Sequence, residues 1–257
     1  MKILNGFIIA FSMYSKIPMP KADWSEENMK YTLCFFPFVG LLIGFLILYS
    51  KYLCDALGFS NIIFAGIGVW IPISITGGIH MDGFCDTCDA FASHQPKKKK
   101  LEIMKDSNSG AFAIIRASVY FLLYFALLTE ISFDGVMILG CGYVISRCFA
   151  GMSVLKFKNA KACGLVQIFN SMSNKKVSFW ILVFILVLSV SGMVAINWII
   201  GIFSAIIAFF IFVYYKYIIY REIGGITGDT TGYLVQICEI GICFSVVIAE
   251  GVLKLWN

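Results

Sequence analysis

Charge is what this chain has least of. Asp, Glu, Lys and Arg make up 14% of its 257 residues, against about 25% in a typical soluble domain. Apolar residues reach 60% and the mean hydropathy is +0.86. A water-soluble globule of this size has too much surface for its volume to bury that fraction. A soluble domain, a disordered chain and a coiled coil are excluded together. Histidine is scarce as well, with two in the chain, which leaves little material for zinc. A disulfide scaffold is also excluded. Cys34, Cys54, Cys141, Cys148, Cys163, Cys238 and Cys243 stand singly in or beside apolar runs, where a free thiol behaves as a small hydrophobe. No small-residue cleavage site follows the short apolar run before Pro20, so no removable signal peptide is expected. Repeats and linkers are missing too, which predicts one integral-membrane domain over 1–257.

What the chain does have is long apolar runs. A membrane-spanning helix needs roughly 20 mostly apolar residues, and seven stretches qualify: Tyr31–Leu53, Ile62–Gly78, Ala111–Glu130, Gly135–Leu155, Ser178–Ile196, Trp198–Ile219 and Thr231–Leu253. Ile3–Tyr14 is too short to span and reads as an interfacial or re-entrant helix. The expected fold is an all-α polytopic membrane helix bundle.

The net charge of +5 then reports orientation rather than a nucleic-acid partner. Lysines cluster before the first predicted span, between the second and third, between the fourth and fifth, and, with Arg221, between the sixth and seventh. Those connections hold sixteen of the 20 basic residues. The positive-inside rule makes that side cytoplasmic, and seven crossings put the C-terminus outside. The Lys97–Lys100 run belongs to this signal and to an attraction for anionic lipid. The one long polar excursion, His80 to Gly110, reads as a cytoplasmic acidic active-site loop, because connections of that length are commonly functional.

Five of the 15 acidic residues lie between Asp82 and Asp106. If Gly77–Asp89 is helical, Asp86 and Asp89 fall at about +40° and −20° from Asp82, and three carboxylates share one stripe. Like charges at i,i+4 weaken a helix. A divalent cation removes the conflict, and oxygen-only ligands favour Mg²⁺, Ca²⁺ or Mn²⁺; the plainer alternative is a solvated acidic face balancing the nearby lysines. Glu102 and Asp106 repeat the spacing. His80 falls off the stripe and reads as a base, a phosphate donor or a helix-end residue. Cys85-x-x-Cys88 reads as small packing residues, since a single such pair makes a weak zinc case.

A second constellation is Gly224-Gly225-Ile226-Thr227-Gly228-Asp229-Thr230-Thr231-Gly232, where a lysine-side connection enters the last span. Glycines let backbone N–H groups turn toward an anion, and the following helix N-terminus strengthens the attraction. Asp229 can hold a metal alongside the first cluster. Inside the spans, Arg147 and Glu239 are functional candidates by default. Arg147 either grips a phosphate in a fork or pairs with a carboxylate. Together these features suggest metal-assisted transfer of a phosphate-bearing group.

At these residues the sequence resembles the cobalamin synthase family, the adenosylcobinamide-GDP ribazoletransferases. The matching stretches are Ser15–Pro20, Phe36–Gly40, Gly77–Asp89, Leu101–Ser107 with Gly110, and Gly224–Asp229, in family order. Cys85 and Cys88 stand where the family usually has small residues such as alanine. Lys156–Gly164 is a loose version of a segment that often carries tyrosine and arginine there.

The resemblance implies a reaction joining adenosylcobinamide-GDP to α-ribazole or its 5′-phosphate, with release of GMP and with Mg²⁺ as cofactor. It implies Asp82, Asp86, Asp89 and Asp229 as metal ligands, with Asp106 as a further ligand and Glu102 behind it. His80, or one of the aspartates Asp82 and Asp86, takes the hydroxyl proton. Gly225, Thr227 and Gly228 cradle phosphate oxygens, and Arg147 or Lys105 adds positive charge. A homo-oligomer is compatible with this reading. Rival readings are a CDP-alcohol phosphotransferase, an aspartate-rich prenyltransferase and an ion-coupled transporter. A transporter would place its acids near the bilayer midplane at broken helices.

Overall fold

The computed structural model describes residues 2–106, 108–161 and 164–256; Ser107 and Cys163, both named above, lie outside them. Among the described residues twelve helices follow one another: α1 (Lys2–Tyr14), α2 (Glu26–Met29), α3 (Thr32–Ala56), α4 (Asn61–Thr76), α5 (Ile79–Ala92), α6 (Lys97–Ile103), α7 (Ala111–Glu130), α8 (Phe133–Lys156), α9 (Leu165–Met172), α10 (Lys175–Ile196), α11 (Trp198–Glu222) and α12 (Gly228–Trp256). Among the described residues there is no strand. A single parallel bridge pairs Asn159 with Ile226.

Six helices are long and apolar enough to cross a membrane: α3, α7, α8, α10, α11 and α12. The pair α4 and α5 meets the same criterion only when taken together across a 94° bend, as a broken span or a re-entrant loop. At 1.5 Å per residue the 16 residues of α4 reach about 24 Å, short of a roughly 30 Å hydrocarbon core. The expected span Ile62–Gly78 is therefore the first arm of a bent pair. The segment expected as a loop over 80–110 is corrected in the same way. Its first half is α5, packed against α7 and α12, and α6 follows after a short link. Apolar Phe84, Cys88 and Ala90 alternate with the aspartates at helical spacing and are buried, which is what draws the segment into the bundle.

α8 forms the centre, with α3, α10 and α12 around it. In this helix 89% of the most apolar window is buried, against 11% in α10, whose Trp180, Phe184 and Leu188 face outward. Small residues let α8 sit so deep. A Cβ on Gly44 of α3 would stand 2.8 Å from the Cα of Gly140, the close backbone approach that drives helix association where lipid removes the hydrophobic force. Tight caps turn the chain between spans: Ser132 accepts from Gly135 N at 3.0 Å, and Asn197, the sole residue between α10 and α11, accepts from Ile199 and Ile200 at 3.1 Å, as polar N-caps do.

The lysine-bearing connections gather at one end of the bundle. Lys16 N donates to Ile75 O at 2.7 Å, Asn174 N to Lys30 O at 3.0 Å and Ile226 N to Lys158 O at 2.8 Å. Lys97 Nζ reaches Tyr220 O at 3.1 Å, and buried Lys100 pairs with Glu222. At the opposite end Lys51 binds Asp55 and Asn61, and Glu250 accepts from Ser132 N. α1 leans on α3 through Phe7, Phe11 and Phe35, delivering Met13 and Tyr14 to the lysine-bearing end.

Candidate active site

Two helix N-termini meet there. Gly77 (φ +63°) and Gly78 (φ +79°) occupy left-handed backbone that only glycine adopts freely, and they make the sharp turn that starts α5. Asp82 lies in the first turn of α5 and Asp229 in the first turn of α12, where the helix dipoles favour carboxylates. The two helices cross in near backbone contact. A Cβ on Gly83 would stand 2.6 Å from Asp229 O, and one on Gly232 would stand 2.9 Å from His80 O. Glycine on both sides of the crossing is what brings residues 147 positions apart in sequence to one place.

Asp82, Asp229 and His80 line a common cavity of about 160 Å³ whose other wall is aromatic and aliphatic, with Tyr14, Phe36 and Phe169. His80 is buried at 5% exposure. Its ring lies 5.6 Å from that of Phe36, and its Nε2 has no hydrogen-bond partner. Asp86, half-buried, feels the charges of Asp82, Asp229 and Asp89, and of Lys161.

The five expected ligands do not all converge. Asp89 accepts Gly110 N at 2.5 Å and Ala113 N at 2.8 Å. Both carboxylate oxygens cap the start of α7, so its stripe position serves an architectural end. Asp106 is exposed. It accepts from the backbone N–H and side-chain amide of Asn108, each at 3.0 Å, and the backbone hydrogen bond above all holds its carboxyl below the usual carboxylate range. Such a turn closes on itself because Asx side chains bond their own downstream backbone. Lys105 is exposed beside it, and Glu102 pairs with Lys99 at 3.2 Å.

Among the described residues, no group of three or more His, Cys, Asp or Glu side chains is arranged to hold an ion by itself. Asp82 and Asp229, with Asp86 beside them, nevertheless fit Mg²⁺ by donor chemistry. That ion is usually held through one or two carboxylates together with substrate phosphates and water, rather than in an all-protein cage. Cys88 is buried and Cys85 half-buried, as packing residues.

The glycine-rich turn is built differently from the expected phosphate cradle. A Cβ on Gly225 would stand 2.3 Å from Lys158 O, so this glycine serves the bridge to residues 158–160. Thr227 N donates to Thr230 Oγ1 at 2.9 Å while Thr230 N donates to Thr227 Oγ1 at 3.2 Å, a reciprocal cap on α12. Thr227 Oγ1 also donates to Asp229 Oδ2 at 3.3 Å, fixing that carboxylate. Gly228 is exposed and lines the cavity, so of the three it alone keeps an open position toward a ligand.

Arg147 takes the second of the two roles the sequence allowed, the carboxylate pair, rather than the phosphate grip. It is 1% exposed and pairs with Glu239, its Nη1 also donating to Ser146 Oγ at 3.0 Å and Tyr143 O at 3.2 Å. Its guanidinium joins α8 to α12 and is closed off from solvent, with Nε left without a partner. The basic group that does reach the site is Lys161, 3.6 Å from Asp229 Oδ2. Sequence offered no sign of it beyond a lysine-rich connection, and nothing pointed to Tyr14 or Phe169.

The sequence profile of the family described as Cobalamin-5-phosphate synthase matches residues 6–247. The chain belongs to that family. A member from Lachnoclostridium phytofermentans, named adenosylcobinamide-GDP ribazoletransferase, is 44% identical over 98% of this chain and 97% of its own length. Proteins of the same name from Treponema denticola and Fusobacterium nucleatum are 34% and 31% identical, covering 93% and 94% of this chain and 96% of each relative. No solved structure matches the chain.

Proposed function

We infer that this chain is an adenosylcobinamide-GDP ribazoletransferase, a multi-pass membrane enzyme of cobalamin synthesis. The observation that carries the site assignment is the shared cavity of His80, Asp82 and Asp229 at the crossing of α5 and α12. A hydroxyl oxygen of α-ribazole, or of its phosphate, bonds to the phosphorus attached to the cobinamide arm. The diphosphate bridge breaks, and GMP leaves with the bridging oxygen. His80, whose buried Nε2 has no hydrogen-bond partner, or one of the aspartates Asp82 and Asp86 takes the hydroxyl proton. Asp82 and Asp229, with Asp86 beside them, would hold Mg²⁺, which would neutralise charge developing on the leaving phosphate. Lys161 holds Asp229 in place and adds positive charge at the same edge.

The active site faces the cytoplasm in this reading. The lysine-bearing connections around it carry most of the basic residues, and such loops stay inside. Two large polar substrates then arrive from water rather than through lipid.

The test is an incubation of purified membranes with adenosylcobinamide-GDP, α-ribazole and Mg²⁺, followed by GMP release. Asp82→Asn and Asp229→Asn should each lower turnover by about 100-fold or more, the scale of several kcal/mol lost from the transition state, with the protein still folded and inserted. Near-normal turnover in either variant refutes the assignment.

A further inference from the structure

A second, larger recess adjoins the cavity, and the transfer reaction does not yet account for it. It lies between residues 155–161, α9, the start of α10 and Tyr220, and measures about 730 Å³, within the usual range for a small-molecule site. Resting on the transferase reading, we propose that this recess binds the guanosine-phosphate end of the nucleotide substrate, leaving the aromatic cavity to the flat base of the ribazole.

Charge is the first argument. Lys156, Lys158, Lys161 and Lys175 all line the recess, and among its described lining residues there is no Asp or Glu. Lys158 and Lys175 are exposed. Lys156 Nζ lies over the Phe179 ring at 4.5 Å; the other three lysines along the recess suit a phosphate anion. Position is the second argument. Lys161 lines the recess and also stands 3.6 Å from Asp229 Oδ2, so a diphosphate lying along the lysines would end at the carboxylates.

Base chemistry is the third. Guanine offers two kinds of N–H donor and a carbonyl acceptor on one edge, and amide side chains complement both. Asn159, Gln167 and Asn170 supply them here. Asn159 Nδ2 donates to Gln167 Oε1 while Asn159 Oδ1 is buried without a partner. Orphaned buried acceptors of that kind are uncommon, and a guanine N–H would satisfy this one. The benzimidazole of a ribazole has no N–H to offer. It suits instead the cavity of Tyr14, Phe36 and Phe169.

The experiment measures steady-state turnover with each substrate varied in turn, and GDP and ADP binding by equilibrium dialysis on the full-length protein in nanodiscs. In Lys158→Ala/Lys175→Ala the KM for adenosylcobinamide-GDP should rise about tenfold and GDP binding weaken in parallel, with kcat and the KM for α-ribazole unchanged. Lys158→Arg/Lys175→Arg should recover most of the loss. Gln167→Leu should narrow the preference for GDP over ADP. Unchanged GDP binding in the double alanine variant, or a rise in the KM for α-ribazole instead, overturns the proposal while leaving the transferase intact. Wild-type protein that binds GDP through these lysines but releases no GMP supports the recess and refutes the transferase reading. Wild-type protein that turns over without binding GDP in the recess does the reverse.

Discussion

Asp82 and Asp89 stand seven residues apart on one face of α5, and their surroundings give them opposite duties. Asp89 spends both oxygens on the N–H groups of Gly110 and Ala113, whereas Asp82 is exposed and faces the cavity. Replacing a capping carboxylate by alanine costs about 1 kcal/mol. Asp89→Ala should therefore lower the thermal midpoint measurably while retaining most turnover, and Asp82→Asn should do the reverse. Parallel melting curves and GMP-release assays on the two variants decide it; loss of turnover in Asp89→Ala at unchanged stability would return Asp89 to the ligand set. Arg147 makes the same point from inside the bundle. Removing one partner of a buried pair leaves an uncompensated charge and costs about 3–5 kcal/mol, while replacing both is often tolerated. Arg147→Met should lower the yield of folded protein, and adding Glu239→Leu should restore it. An Arg147→Met variant that folds normally but has lost substrate affinity would reinstate the phosphate role.

At the scale of elements, the crossing of α5 with α12 decides whether there is a site at all. A Cβ at Gly83 would meet Asp229 backbone at 2.6 to 2.8 Å, closer than real contacts allow, and neither helix can yield without moving its carboxylate. Gly83→Ala and Gly232→Ala should cut turnover by about tenfold or more, since displacing a reacting group by about 1 Å is enough to do so. Solubilised protein yield should stay near normal; full activity in both would mean the crossing has slack. This level was only partly legible in sequence. The spans could be read because apolar runs of 20 residues have few other uses, and the carboxylate stripe because helical periodicity is local. The bend was hidden, since α4 and α5 read as one span followed by a loop until the pair of left-handed glycines is seen to fold the second arm back. The fates of Asp89, Arg147 and Gly225 were hidden for a different reason. Each is settled by a partner distant in sequence, at Gly110, Glu239 and Lys158, and no local pattern announces a tertiary hydrogen bond.

For the whole molecule, sidedness is the property on which substrate supply depends. Hydrogen bonds tie the lysine-bearing connections to one another at one end of the bundle; at the other, Lys51, Asn61 and Thr129 are tied together and Ser132 is tied to Glu250. The fold thus keeps all the basic connections on one face, and the positive-inside rule turns that face toward the cytoplasm. Two exposed positions report on it, Lys98 in α6 and Leu255 near the end of α12. In intact cells a membrane-impermeant maleimide should label Leu255→Cys and leave Lys98→Cys unlabelled, and permeabilisation should expose the second. Native cysteines add little background, because those described are buried or half-buried. Labelling of Lys98→Cys in intact cells would place the carboxylates outside, away from the nucleotide they are meant to serve. It would undo the cytoplasmic assignment while leaving the architecture of the site intact, because α5, α12 and the lysine recess are held together by contacts that do not depend on which side of the bilayer they face.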